Sequence, residues 1–127
     1  FLSNDLDKEI SKRQSQNALQ INAHTPISAS AKQEIKVRLI DDFSSDSVAK
    51  SLSLRKRTFE RRLLQEGTSY RQLLEQTRAE MALDYLTFTE YTFTEISYLL
   101  GFQEPNSFFR AFKRWYGQAP SAYSQSA

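Results

Sequence analysis

Within eight residues, Arg55, Lys56, Arg57, Arg61 and Arg62 surround a single acid, Glu60. A second basic set, Arg110, Lys113 and Arg114, follows further along the chain. A guanidinium carries a planar fork of donors that can bond guanine O6 and N7 together, or grip a phosphate with charge-assisted hydrogen bonds. An ammonium offers a point charge, better suited to phosphate alone. Such groups recognise polyanions and do not break bonds by themselves. The residues that would break bonds are missing. The chain has no cysteine and one histidine, His24, which sits beside Thr25-Pro26 and reads as solvated loop, neither ligand nor base. There is no Cys/His pair, no serine with a base partner and no glycine-rich phosphate loop. Asp41-Asp42 reads as an ordinary pair of helix-end charges. No catalytic residue, metal site or cofactor is expected.

The basic sets need rigid elements to present them. Phe108, Phe112 and Trp115 fall at i, i+4 and i+7, one apolar face of a helix, with Arg110, Lys113 and Arg114 off that face. Gly117 suits the left-handed position that closes this helix, and Pro120 the first turn of the next. Upstream, Thr92 and Glu95 stand in the T-x-x-E relation of a capping box, ahead of the apolar Ile96, Leu99 and Leu100. A capped helix, a tight turn at Gly101-Phe102 and a basic helix then follow one another. That order is the pattern of a helix-turn-helix, whose second helix enters the DNA major groove. Phe102, Phe108, Phe112, Trp115 and Tyr123 could form a stacking platform for single strands, but their helical spacing assigns them to a core.

The rest of the chain reads as helix too. Ile35, Leu39 and Ile40 make one face of a helix ending near Asp42, and Val48, Ala49 and Leu52 turn inward from a second, Ser44 to Leu52. Arg55 to Glu66 forms a third, with Phe59, Leu63 and Leu64 inside, stopped by Gly67. Ser69 can cap a long fourth, residues 70–86, carrying Leu73, Leu74, Met81, Leu83 and Leu86. No alternating apolar run argues for a strand. The expected fold class is all-α, with about seven helices.

Residues 1–33 differ in composition, being rich in Ser, Gln, Asn and Ala. They read as a linker or remnant of a preceding domain, with one weak helix through Leu2, Leu6 and Ile10. The opening Phe1-Leu2 suggests a fragment of a longer protein. At 127 residues with a net charge of only +2, the remainder amounts to one domain, and the distribution of its charge matters more than the sum. No run approaches the roughly 18 apolar residues of a membrane span, and no signal-peptide pattern opens the chain. A cytoplasmic location is expected.

Two halves of the folded part repeat each other. Val48, Ala49, Leu52 and Leu54 correspond to Ile96, Ser97, Leu100 and Phe102, each 48 positions later. Phe59, Arg61 and Leu63 correspond to Phe108, Arg110 and Phe112 at 49, and Gly67 and Leu73 to Gly117 and Tyr123 at 50. The offset grows in the turn and at the helix end, where insertions are tolerated. Two copies of one unit, joined by the helix over 70–86, are the consequence. About 25 Å of helix follows from ~1.5 Å per residue, the scale that sets two helices into neighbouring major grooves.

The pattern T-x-x-E-I-x-x-x-x-G-F-x-x-x-x-x-F-x-R-x-F-K-x-x-x-G-x-x-P-x-x-Y, from Thr92 to Tyr123, resembles the C-terminal DNA-binding domain of the AraC/XylS family of bacterial transcription regulators. The match runs back through RTFERRL and EGTSYRQLL to about residue 34. The resemblance implies two helix-turn-helix subdomains, homeodomain-like, joined by a long helix: 34–68, a linker helix 69–86, and 87–127. It also implies double-stranded promoter DNA as partner, RNA polymerase as a second, and an effector sensed by a separate N-terminal domain.

Carried onto this sequence, the family's base-reading positions fall at Arg57, Glu60 and Arg61 in the first half and at Asn106 and Arg110 in the second, where Pro105 offers no polar group. Arg55, Lys56, Arg62, Ser107 and Lys113 are assigned to phosphate, which positions without reading sequence. Glu60 replaces a common glutamine; it can accept from cytosine N4 or pair with Lys56 four residues earlier. Arg55 replaces a capping serine, and Ser53 is the substitute cap considered. Ala119 and Ser124 also depart from the family pattern, which should weaken the last helix. The competing reading is a helical protein-interaction module that does not bind DNA.

Overall fold

The structure, a computed structural model, describes residues 25–125. The weak helix expected near the N-terminus and His24 lie outside the described residues. Seven helices follow in order: α1 (Ile27–Arg38), α2 (Ser45–Ser51), α3 (Lys56–Gln65), α4 (Tyr70–Phe88), α5 (Phe93–Leu99), α6 (Pro105–Tyr116) and α7 (Pro120–Gln125). There is no strand among the described residues. The chain is all-α, as its periodicity requires.

Local chemistry starts most of these helices. The Ser44 hydroxyl accepts from the Ser47 N–H at 3.1 Å and caps α2, and Ser69 accepts from the Gln72 N–H at 3.2 Å and caps α4. At α5 the capping box is complete: Thr92 Oγ1 accepts from the Glu95 N–H at 3.1 Å, and Glu95 Oε1 accepts from the Thr92 N–H at 3.0 Å. Pro105 opens α6, and Gly117 ends it in the left-handed region at φ 76°.

The helices form two three-helix units. In the first, α1 packs on α2 and α3; in the second, α6 packs on α5 and α7. Helix α4 runs between them and touches α1 on one side and α6 and α7 on the other. The core is continuous across both units. Ile35, Val48, Phe59, Leu63, Ile96, Leu100, Phe108 and Phe112 are all fully buried in it.

The repeat read in the sequence is a repeat of backbone geometry. In the first turn the Leu54 N–H donates to the Ala49 carbonyl at 2.9 Å and the Ser53 N–H to the Lys50 carbonyl at 3.0 Å. In the second, Phe102 donates to Ser97 and Gly101 to Tyr98, both at 3.0 Å. Each is a Schellman closure, which needs a left-handed residue at its centre. Gly101 supplies it at φ 85°, and Ser53 supplies it at φ 61° in the other copy. Ser53 is therefore the turn residue and not a cap, and Arg55 stands at the N-cap of α3 with no side-chain bond.

Four expectations are corrected. Helix α1 begins at Ile27, so the division placed between 33 and 34 cuts through it, and Ala31 is fully buried. Its start was hidden because Pro26 makes no side-chain cap; the Glu66 carboxylate serves instead, accepting from the Ile27 N–H at 2.6 Å and the Ser28 N–H at 3.1 Å. Helix α1 also ends at Arg38, leaving Ile40 beyond the helix and 71% exposed. Leu64, expected inside, is 73% exposed. The linker helix runs two residues past 86, to Phe88.

Candidate nucleic-acid interface

Helices α3 and α6 are the second helices of the two helix-turn-helix units. Phe59 and Leu63 anchor α3, and Phe108, Ala111 and Phe112 anchor α6. The opposite faces are left to solvent. On α3 that face carries Arg57, Arg61 and Leu64, at i, i+4 and i+7, with Glu60 at its edge; all four are exposed. On α6 the matching positions are Asn106, Arg110 and Lys113, also exposed. Each lies 49 positions after its counterpart on α3, so both units carry the same stripe in the same register.

The remaining basic residues of α3 stand off this stripe. Arg55 and Lys56 border a shallow groove shared with Asp42, ahead of α2, and with Asp46 and Lys50 of α2 itself. Arg62 lines another groove, with Thr25, Ile27 and Glu66. Ser107 is half-buried in the first turn of α6. The Lys56–Glu60 pairing does not form: among the described residues the ion pairs are Lys32–Glu80, Arg38–Glu34 and Arg114–Glu75. Glu60 thus keeps its carboxylate free of a cation partner on the exposed edge of α3.

Arg114, grouped in the sequence with Arg110 and Lys113, has a different task. It bonds Glu75 of α4 through both Nε, at 3.0 Å, and Nη2. The Trp115 indole N–H donates to the same Glu75 oxygen at 2.9 Å, and the Tyr116 hydroxyl donates to the Ala79 carbonyl at 2.7 Å. These bonds from Arg114 and Trp115 hold the Glu75 carboxyl below its usual range. Helix α6 is fastened to α4 by three successive residues, which leaves its exposed stripe undisturbed.

Helix α3 is fastened at its end. Burial pushes the Glu66 carboxyl up, but hydrogen bonds from Ser28 and the Ile27 backbone outweigh this and hold it low. Tyr70, at the start of α4, packs edge-on against Phe59 with ring centres 5.9 Å apart and donates its hydroxyl to the Phe43 carbonyl. Burial pushes the Tyr70 hydroxyl up to about 12, so it stays a donor across the physiological range.

Sequence reasoning missed Leu64 because the surrounding Phe59–Leu63 pattern extends naturally to it. The repeat held the signal. Leu64 corresponds to Lys113, which no reading would bury. It also missed Arg78 and Glu75 of α4, whose roles depend on contacts distant in sequence. Among the described residues no group of three His, Cys, Asp or Glu is placed to hold a metal, and no helix is long and apolar enough to cross a membrane.

The family described as a helix-turn-helix domain matches residues 48–126. A transcriptional regulator of Mycobacterium tuberculosis is 47% identical over 78 residues, covering 61% of this chain and 23% of that protein. The chain spans about a quarter of the length of the curated relatives it matches. The DNA-binding domain of AdpA, solved in complex with a target DNA, superposes with a TM-score of 0.67 at 25% identity, over 80% of this chain and 93% of that one. A Chromobacterium violaceum regulator with an AraC-type DNA-binding domain shares the fold, with a TM-score of 0.69 at 20% identity over 79% and 90% of the two chains.

Proposed function

The chain belongs to the AraC-type helix-turn-helix family and is the sequence-specific DNA-binding part of a transcription regulator, and from that premise we propose that α3 and α6 read successive major grooves of one duplex site. The observation that supports this is the matched exposed stripe on the two helices, Arg57, Arg61 and Leu64 against Asn106, Arg110 and Lys113. Helix α4, 19 residues long, spans about 28 Å at ~1.5 Å per residue, close to one turn of duplex.

In this reading Arg57 and Arg61 each grip a guanine edge, and Glu60 accepts from cytosine N4. Asn106 reads adenine and Arg110 guanine. Leu64 adds an apolar contact to a thymine methyl, a role that its exposure on the reading face supports. Arg55, Lys56, Arg62, Ser107 and Lys113 hold phosphates and set the register. The first unit, with two arginines on its stripe, supplies more of the sequence preference. The regulator as a whole acts in the bacterial cytoplasm, senses an effector on another domain and acts on RNA polymerase. The relatives, themselves regulators more than twice as long as this chain, support that wider picture.

Selection of sites from a random duplex pool tests the reading. The expected product is a non-palindromic site with two conserved blocks about one helical turn apart. Recovery of a single block, or of no preferred sequence, overturns it.

A further inference from the structure

Arg78 lies near the middle of α4 and touches both units at once. Its Nε donates to the Leu100 carbonyl at 2.8 Å and its Nη2 to the Gly101 carbonyl at 3.3 Å, both in the turn of the second unit. Its guanidinium carbon lies 4.4 Å from the Phe102 ring centre, in that same turn, and 4.7 Å from the Phe43 ring centre, in the loop between α1 and α2. Phe43 is itself held in place, since Tyr70 bonds its carbonyl. The seam is tight: a Cβ at Gly101 would stand 2.6 Å from the Leu39 carbonyl oxygen and 2.9 Å from the Phe43 ring.

This arrangement uses what a guanidinium alone offers. Its edge donates to the unsatisfied carbonyls at the end of α5 while its faces stack on aromatic rings. The carbonyls and Phe102 belong to the unit that presents α6; Phe43 belongs to the unit that presents α3. One rigid group therefore ties the turn ahead of α6 to the loop of the unit that presents α3. We propose that Arg78 is the positioning residue that sets the half-site separation this domain accepts. The inference rests on the reading of α3 and α6 as two base-reading helices.

The test compares the selected two-block site with versions that gain or lose one base pair between the blocks. One base pair turns the second block by about 35° and moves it by about 3.4 Å. The parent should lose at least about tenfold in affinity at either altered spacing, because rigidly linked modules lose avidity when geometry forbids joint engagement. Arg78→Met should bind the parental site about tenfold more weakly, yet vary by less than about threefold across the three spacings. Arg78→Lys keeps the charge but not the stacked fork and should behave in the same way. Phe43→Leu removes only the first unit's share of the contact and should flatten the spacing profile even if Arg78→Met fails to fold. A second readout does not involve DNA. The chain has no cysteine, so spin labels at Gln65→Cys and Lys113→Cys report the α3–α6 distance alone. The distribution should be narrow in the parent and broad in the Arg78 and Phe43 variants. A uniform loss of affinity with the steep spacing profile kept, a steep profile in Arg78→Lys, or an unchanged narrow distribution each overturns the proposal. Absence of any two-block site in the parent would instead sink the DNA-reading premise, and the distance measurement would still decide the role of Arg78.

Discussion

A charged side chain on an exposed helix face can read or can merely attract, and the two behave differently on substitution. Arg61 stands on the α3 stripe with no carboxylate partner among the described residues. Arg61→Ala should cost about 1–3 kcal/mol on the preferred site and relax preference at one base pair. Comparing affinities for a site and its single-base variants checks this, and unchanged discrimination would remove Arg61 from the reading set. Lys113→Ala should instead weaken binding to every sequence alike and lower the salt slope by about one. Arg114 shows why residue type is not enough. It resembles its neighbours in the sequence, yet its donors are committed to Glu75.

At the scale of the element, the two turns carry the same hydrogen bonds but different chemistry at their centres. Ser53 adopts φ 61° in the first turn, a conformation that costs a side-chain-bearing residue about 1–2 kcal/mol. Ser53→Gly should therefore stabilise the domain by about 1 kcal/mol, measured as a raised denaturation midpoint at unchanged slope. Gly101 has no such latitude. Its φ is 85°, and an added Cβ would press on the Leu39 carbonyl. Gly101→Ala should destabilise by well over 2 kcal/mol, since strain and overpacking add. Gly67→Ala is the control: it shares the positive φ, at 84°, but a Cβ there meets nothing within 4 Å. It should cost about 1 kcal/mol, the backbone strain alone. Equal effects at Gly67 and Gly101 would show that the seam is looser than the structure has it.

Over the whole molecule, long-range contacts to carboxylates hold helices to one another and make the fold sensitive to acid. Glu66 joins the end of α3 to the start of α1, and Glu75 joins α4 to α6. Both are held below the ordinary glutamate range in the folded state. A depressed folded value means that their contribution is complete above the unfolded value, about 4.3, and fades as pH falls through the lower folded values. Stability measured by denaturant from neutral to acid pH should drop below that point. The drop should shrink in Glu66→Gln with Glu75→Gln, which starts lower at neutral pH. An identical pH profile in parent and double variant would assign the acid sensitivity elsewhere.

The sequence by itself determined what short-range chemistry controls. Helical period, the Thr92–Glu95 box, the left-handed Gly117 and the doubled pattern of core positions are written within a few residues of where they act, so the all-α class and both helix-turn-helix units could be read from them. The start of α1 could not, because its cap is Glu66, 39 residues away in the chain. Nor could the outward turn of Leu64, the commitment of Arg114 to Glu75, or the seating of Arg78 between Phe43 and Phe102. Each is a choice among neighbours that only folding brings within reach, and two of them, the Arg114–Glu75 contact and the seating of Arg78, tie the second unit to α4 and to the first unit.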